Sequence, residues 1–226
     1  MRDNLMPVLS DFCLGTQEER ILKRLDFGLG LKPNLDVRKR LKELNADTGN
    51  LISPSIAYDI FEVVKIEPES IVLKKERIEG SLLPALFEEC KFLMVAVCTI
   101  GPQLEEKVEQ LINEGNLLNA MLIDEVGNAS INELEDECLR VANEKADEEG
   151  LKASGCVCPG KEGFTLDEQA KILKMVNAQE IGVRLTDSRM MYPRKSTSLV
   201  IGIGTNLGHW DMCEYCEMRD RCSYNN

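Results

Sequence analysis

Apolar residues recur at helical spacing in several parts of the chain. The longest such pattern covers residues 117–149, where they follow one another at three- and four-residue intervals. This pattern predicts one long core helix. Asp124 and Glu125 within it are candidate catalytic carboxylates, although a solvated helix face is the expected position for both. Shorter helices are predicted at residues 31–44, 81–90, 103–112 and 165–176.

Strand patterns lie between these helices. Continuous apolar runs at residues 92–99 and 196–203 are typical of strands that are buried on both faces. Residues 153–163 contain three glycines, one proline and two cysteines, and are predicted to form a loop. Further strands are predicted at residues 56–66, 71–73 and 182–186.

The order of these elements predicts an α+β fold. We expect a twisted mixed or antiparallel sheet flanked by helices. Residues 205–226 are polar and contain three cysteines, and they show neither the helical spacing nor the apolar runs of the preceding segments. We therefore divide the chain into a domain at residues 1–204 and a metal-binding tail at residues 205–226.

The charge of the chain limits its partners. It carries 27 Lys and Arg against 39 Asp and Glu, a formal net charge of -12. Such a field repels phosphate backbones and anionic membrane surfaces, so neither nucleic acid nor a membrane is an expected partner. The amino terminus has no apolar run of signal-peptide length, and residues 92–100 are too few to span a bilayer. A cytoplasmic location is predicted.

The nine cysteines fall into two groups. In a reducing compartment they are not expected to form a disulfide framework. Cys90, Cys98 and Cys138 stand singly in apolar or helical surroundings, where a free cysteine is usually a small buried hydrophobic residue. Cys13 is also isolated. The remaining five cluster in the 153–163 loop and near the carboxyl end: Cys156, Cys158, Cys213, Cys216 and Cys222.

These five cysteines predict a metal site. Cys213 and Cys216 have the spacing that lets a tight turn direct two thiolates at one metal, and Cys222 can reach the same point. A structural zinc or a [4Fe–4S] cluster prefers four ligands, so Cys156, Cys158 or His209 would supply the fourth. The spacing alone does not distinguish iron–sulfur from zinc, and a tail with incidental cysteines is the remaining alternative.

Residues 158–198 carry an ordered set of motifs. Cys158 is followed by Pro159 and Gly160, and Gln169 lies in the predicted helix that comes next. Residues 181–198 then read IGVRLTDSRMMYPRKSTS. This segment resembles the activation domain of cobalamin-dependent methionine synthase, whose pattern is Gly, two variable residues, Leu-Thr-(Glu/Asp)-Ser, then Met-x-Pro and a Ser-x-Ser pair. Looser similarity upstream, at residues 96–101 and in the helix that contains Asp124, is only to the small stand-alone proteins that share this domain, and altogether about half of the chain is covered.

The resemblance implies a function and a site. In that family the domain binds S-adenosylmethionine beside the corrinoid after cob(II)alamin has been reduced, and methylation restores the active cofactor. By this resemblance Pro159, Gly160, Lys161 and Tyr192 would contact the cofactor, and a partner protein would present cobalamin. The family's loop reads Arg-x-(small)-Pro-Gly-Tyr, whereas this chain has Cys156 at the arginine position and Lys161 at the tyrosine position. The loss of the guanidinium fork argues against tight S-adenosylmethionine binding.

Two classes of function therefore remain. The chain is either an activation protein for a corrinoid methyltransferase, delivering an electron from an iron–sulfur cluster or a methyl group, or a non-catalytic corrinoid-protein binding module with a structural zinc. A Ser–His–Asp hydrolase has little support because His209 is the only histidine in the chain.

Overall fold

A computed structural model describes residues 7–10, 18–29, 34–161 and 163–208 of the chain. Cys13, His209, Cys213, Cys216 and Cys222 lie outside the described residues, so the predicted tail site stays a prediction. The division of the chain at residue 204 also stays a prediction.

The structure is built around one large antiparallel sheet. Its strands are β1 (Val8–Leu9), β2 (Ser55–Glu67), β3 (Ser70–Leu73), β4 (Arg77–Glu79), β5 (Cys90–Thr99), β6 (Lys152–Val157) and β9 (Ser196–Gly204). They lie in the order β4-β3-β2-β5-β9-β6, and β1 pairs with β2. Every described pair is antiparallel, as in β5 with β9, where Cys98 lies opposite Thr197. A small hairpin, β7 (Arg184–Leu185) and β8 (Met191–Tyr192), stands apart from the large sheet.

Helices cover both faces of the sheet, which confirms the predicted α+β fold. The helices are α1 (Glu18–Leu29), α2 (Leu35–Thr48), α3 (Leu83–Leu86), α4 (Gln103–Asn113), α5 (Leu117–Glu148) and α6 (Glu168–Met175). One core lies between the sheet and α1, α2, α4 and α5, and the other lies between the sheet and α3 and α6.

The central strands contribute to both cores. In β5, Met94, Ala96 and Cys98 face α5, whereas the alternate residues Val95 and Val97 face α6. Because successive side chains of a strand point to opposite faces, a strand covered on both sides needs apolar residues at every position. This is the physical reason for the continuous apolar runs at β5 and β9, and both strand predictions are confirmed.

Several local predictions were wrong in their extent. The helix predicted at residues 81–90 is only α3, a single turn, and the strand predicted at residues 182–186 is only β7. The helix predicted at residues 31–44 begins at Leu35, where the Asn34 side chain accepts a hydrogen bond from the Val37 amide, and it continues to Thr48. Helix α1 was not predicted.

The largest correction concerns the predicted loop at residues 153–163. Its first part is strand β6, which pairs with β9 at the edge of the sheet, with Cys156 opposite Ile201. The sequence did not predict this strand, because residues 152–157 include Gly155 and mix polar with apolar side chains. The strand forms by pairing with a distant edge strand, and local propensity does not report such long-range contacts. No helix among the described residues is long and apolar enough to cross a membrane. The cytoplasmic location stays a prediction.

Candidate functional site

The predicted cofactor loop leaves the sheet at the end of β6. Gly160 has a φ of +100°, a left-handed conformation that favours glycine. Its amide donates to the Phe164 carbonyl at 2.7 Å, and the Phe164 amide donates to the Lys161 carbonyl at 2.9 Å. These two bonds close a tight turn over the buried Phe164 ring, with Pro159 half-buried and Lys161 exposed. The resemblance to a small-residue–Pro–Gly loop thus corresponds to a defined turn.

Cys156 and Cys158 lie on the same side of the sheet, against the core under α5. Cys156 lies in β6 and Cys158 is the first residue after it, and side chains two positions apart in extended chain point to the same face. Burial raises the pKa of Cys158 to about 12 and also raises the pKa of Cys156. Both groups are therefore thiols at neutral pH, and a metal would have to displace their protons.

Glu135 on α5 completes a compact polar site with these residues. Its carboxylate accepts a hydrogen bond from the Thr197 hydroxyl at 3.1 Å. The Cys158 sulfur lies 3.9 Å from the same carboxylate oxygen and 3.7 Å from the Thr197 hydroxyl. Burial raises the pKa of the Glu135 carboxyl. We call Glu135, Cys158 and Thr197 the loop site.

Sequence reasoning did not select Glu135. It is one of many acidic residues in α5, and composition does not separate it from the solvated ones. The available signal was its position one turn before Cys138, on the side of the helix that carries the apolar residues. An acid on that stripe is expected to be buried and therefore to need a partner.

Tyr192 lies in the β7–β8 hairpin. Its ring is covered by the Arg184 guanidinium, whose central carbon is 4.7 Å from the ring centroid, a cation–π contact. The hairpin also reaches the segment after the loop, because Arg189 forms an ion pair with Asp167. The preceding residue, Leu166, is close enough to Gly160 that a β-carbon there would lie 3.1 Å from its side chain. Residues 166 and 167 therefore lie beside both the Gly160 turn and the β7–β8 hairpin.

The two candidate carboxylates of α5, Asp124 and Glu125, are held by ion pairs and hydrogen bonds to neighbouring side chains. Asp124 pairs with Lys195, with Oδ1 and Nζ 2.8 Å apart, and Lys195 also donates to Asn128 at 2.6 Å. Glu125 accepts a hydrogen bond from Asn128 at 3.1 Å and is only 9% exposed. The expectation of a solvated face was thus wrong for Glu125. The cluster ties the start of β9 to α5 rather than facing the loop site.

Cavities open at several places in the described part of the structure. One of about 760 Å³ is lined by residues of β2–β4, by Gly163 and Thr165 after the turn and by the start of α6, and its lining includes five acidic residues. Two smaller ones, about 400 and 310 Å³, lie beside α6 and beside Tyr58. None of the three is lined by Pro159, Gly160 or Lys161.

The described residues contain no group of three or more His, Cys, Asp or Glu side chains placed to hold a metal ion. Of the five cysteines assigned to a metal, the structure brings together Cys156 and Cys158. The other three belong to residues 209–226, which the structure does not describe.

Comparisons with known proteins agree with this architecture. No protein-family model and no curated protein matches the chain. Among solved structures, the chain is similar to the crystal structure of the MetH reactivation domain bound to AdoHcy, with a TM-score of 0.67 and 11% sequence identity. The match covers 91% of this chain and 81% of that one. The protein therefore has the fold of the MetH reactivation domain.

Proposed function

We propose that this protein activates a corrinoid-dependent methyltransferase. The observation that carries the proposal is the shared fold: the structural neighbour is a reactivation domain bound to AdoHcy, and the Pro159–Gly160 turn and the 181–198 segment of this chain both approach residues 166 and 167. The expected partner is a protein that presents the corrinoid. The direct test is recovery of methyl transfer by such a partner after its cobalt has been oxidised to cob(II)alamin, measured with a chemical one-electron reductant and S-adenosylmethionine present, with and without this chain.

The loop site has groups that suit an S-adenosyl ligand. S-adenosylmethionine carries a sulfonium and an ammonium cation and one carboxylate. Within the loop site Glu135 offers a carboxylate and Thr197 a hydroxyl, and Lys161, outside the site, carries an exposed ammonium group on the neighbouring turn. Lys161 is a point charge, however, and Cys156 is packed under α5, so neither replaces the two parallel hydrogen bonds of an arginine. We expect weak binding, with a dissociation constant above roughly 10 μM.

Titration calorimetry with S-adenosylmethionine and S-adenosylhomocysteine tests this site. We expect Glu135→Gln to weaken S-adenosylmethionine binding by roughly tenfold and S-adenosylhomocysteine binding less, because only the first ligand has a sulfonium charge for the carboxylate to stabilise. Asp136→Asn is the matched control, since Asp136 is the next residue on α5 but is exposed and pairs with Arg20. If the two substitutions changed S-adenosylmethionine affinity equally, Glu135 would not be a ligand-binding residue.

We further propose that the activation is reductive and uses an iron–sulfur cluster. Cys213, Cys216 and Cys222 would hold it together with a fourth ligand, Cys156 or Cys158, and the bound cluster would supply one electron at a time. The packing of both thiols against the core under α5 supports this assignment, whereas their raised pKa values mean that binding must release protons. The chain's own contribution would be to bury these sulfurs beside Glu135 and Thr197 and so to limit solvent access.

Iron, sulfide and zinc analysis of protein purified without oxygen tests the cluster. We expect about four irons per chain with matching sulfide, and a loss of most of this iron in Cys213→Ser and in one of the two variants Cys156→Ser and Cys158→Ser. Cys90→Ala is the control, because Cys90 is buried in the core on the α6 side of the sheet. One zinc with no iron would instead favour the alternative, a corrinoid-protein binding module with a structural zinc.

A further inference from the structure

Two cysteines that the sequence presents as isolated lie in contact in the core. The sulfur of Cys98 on β5 is 3.4 Å from the sulfur of Cys138 on α5, and one thiol donates a hydrogen bond to the other. Both residues are 0% exposed. They are forty positions apart in the chain, so this contact is made only by packing α5 on the sheet.

We propose that Cys98 and Cys138 are a reversible disulfide site that joins α5 to the sheet. The sulfurs must approach each other by about 1.4 Å to reach the disulfide bond length of roughly 2.05 Å. Neither residue belongs to the predicted metal-binding set. The proposal is therefore independent of the corrinoid function and of the identity of any metal.

The reaction needs a two-electron oxidant, which a low-molecular-weight disulfide provides. One protein thiolate attacks the small disulfide, forms a mixed disulfide and releases one thiol. The second cysteine then attacks the protein sulfur of that mixed disulfide and releases the second thiol. The balance is two cysteine thiols and one small disulfide giving one protein disulfide and two small thiols.

Burial controls how fast this exchange proceeds. The hydrogen bond with Cys138, together with burial, raises the pKa of Cys98 well above its ordinary value. The attacking thiolate is therefore scarce at neutral pH, and a reagent reaches it only when α5 opens locally from the sheet. We expect the pair to react more slowly than exposed cysteines and to accelerate as the pH rises.

The position of the bond connects it to the loop site. Cys98 lies opposite Thr197 on the neighbouring strand, and Cys138 lies one turn after Glu135 on α5. The cross-link would thus form beside the hydrogen bond between Glu135 and Thr197. In the oxidised protein α5 is held on the sheet at this point, so the position of Glu135 relative to Thr197 on the neighbouring strand is fixed.

The test uses the full chain and 2-hydroxyethyl disulfide, a small neutral reagent. After incubation at pH 8.5 and blocking of free thiols, a tryptic digest is analysed without reduction. We expect a cross-linked pair of the peptides 92–107 and 108–140, whose bond is lost on treatment with dithiothreitol. The cross-linked protein should melt roughly 5–10 °C higher, because the bond restricts the unfolded chain.

Variants separate this bond from other oxidation. Cys98→Ala and Cys138→Ala should each abolish both the cross-linked peptides and the rise in melting temperature, whereas Cys90→Ala should retain them. The absence of the 98–138 link in the unmodified protein after prolonged incubation would overturn the proposal, and so would a bond from either cysteine to Cys156 or Cys158. Both outcomes are read from the unmodified chain, so they do not depend on the variants folding.

Discussion

Phe164→Ala is expected to lower the free energy of unfolding by about 3–5 kcal/mol, the usual cost of removing a large buried ring. Phe164 is fully buried and is among the largest side chains of the core on the α6 side of the sheet. Urea unfolding followed by circular dichroism measures the effect. A loss below about 1 kcal/mol would show that the ring is not packed as the structure describes.

The same substitution should affect ligand binding. The Phe164 backbone closes the turn at Gly160 and Lys161, and the ring anchors that turn to the core. Once the ring is gone, the loop loses its attachment and should bind S-adenosylhomocysteine more weakly. Leu166→Ala is the matched control for stability, because Leu166 is two residues further on and 53% exposed, so its change should stay within about 0.5 kcal/mol.

Gly204→Ala, at the last residue of β9, is expected to lower the free energy of unfolding by a similar amount. A β-carbon at Gly204 would lie 2.0 Å from the Glu89 carbonyl oxygen and 3.0 Å from the Cys90 α-carbon. Both contacts are backbone atoms, so no side chain can rotate away, and the pairing of Gly204 with Cys90 and Lys152 must shift. We expect a loss of about 3 kcal/mol or more and a fall in melting temperature of roughly 6–12 °C.

Gly49→Ala is the control for this prediction. Gly49 has a helical φ of -52°, and a β-carbon there meets no atom within 4 Å. Alanine is the better residue in that conformation, so the variant should be as stable as the parent protein or slightly more stable. If Gly204→Ala behaved like Gly49→Ala in thermal unfolding, the close approach of β9 to Glu89 would be wrong.

The sequence by itself determined the long elements of the fold. Helix α5 and strands β5 and β9 were predicted with nearly their full extent, since each depends on a pattern within its own segment. A 32-residue helix repeats its apolar stripe many times, and a strand buried on both faces is apolar at every position. The α+β class and the turn at Pro159–Gly160 follow from the same local information.

Only the tertiary structure decided the contacts between distant segments. Strand β6 forms by pairing with β9. Glu135 differs from the other acidic residues of α5 because it contacts Thr197 and Cys158. Cys98 contacts Cys138 because α5 packs on the sheet. A hydrophobic pattern states which face of an element is buried, but it does not state which residue lies opposite. That choice depends on strand register and on where a helix is placed on the sheet, and both are set by the packing of the whole core.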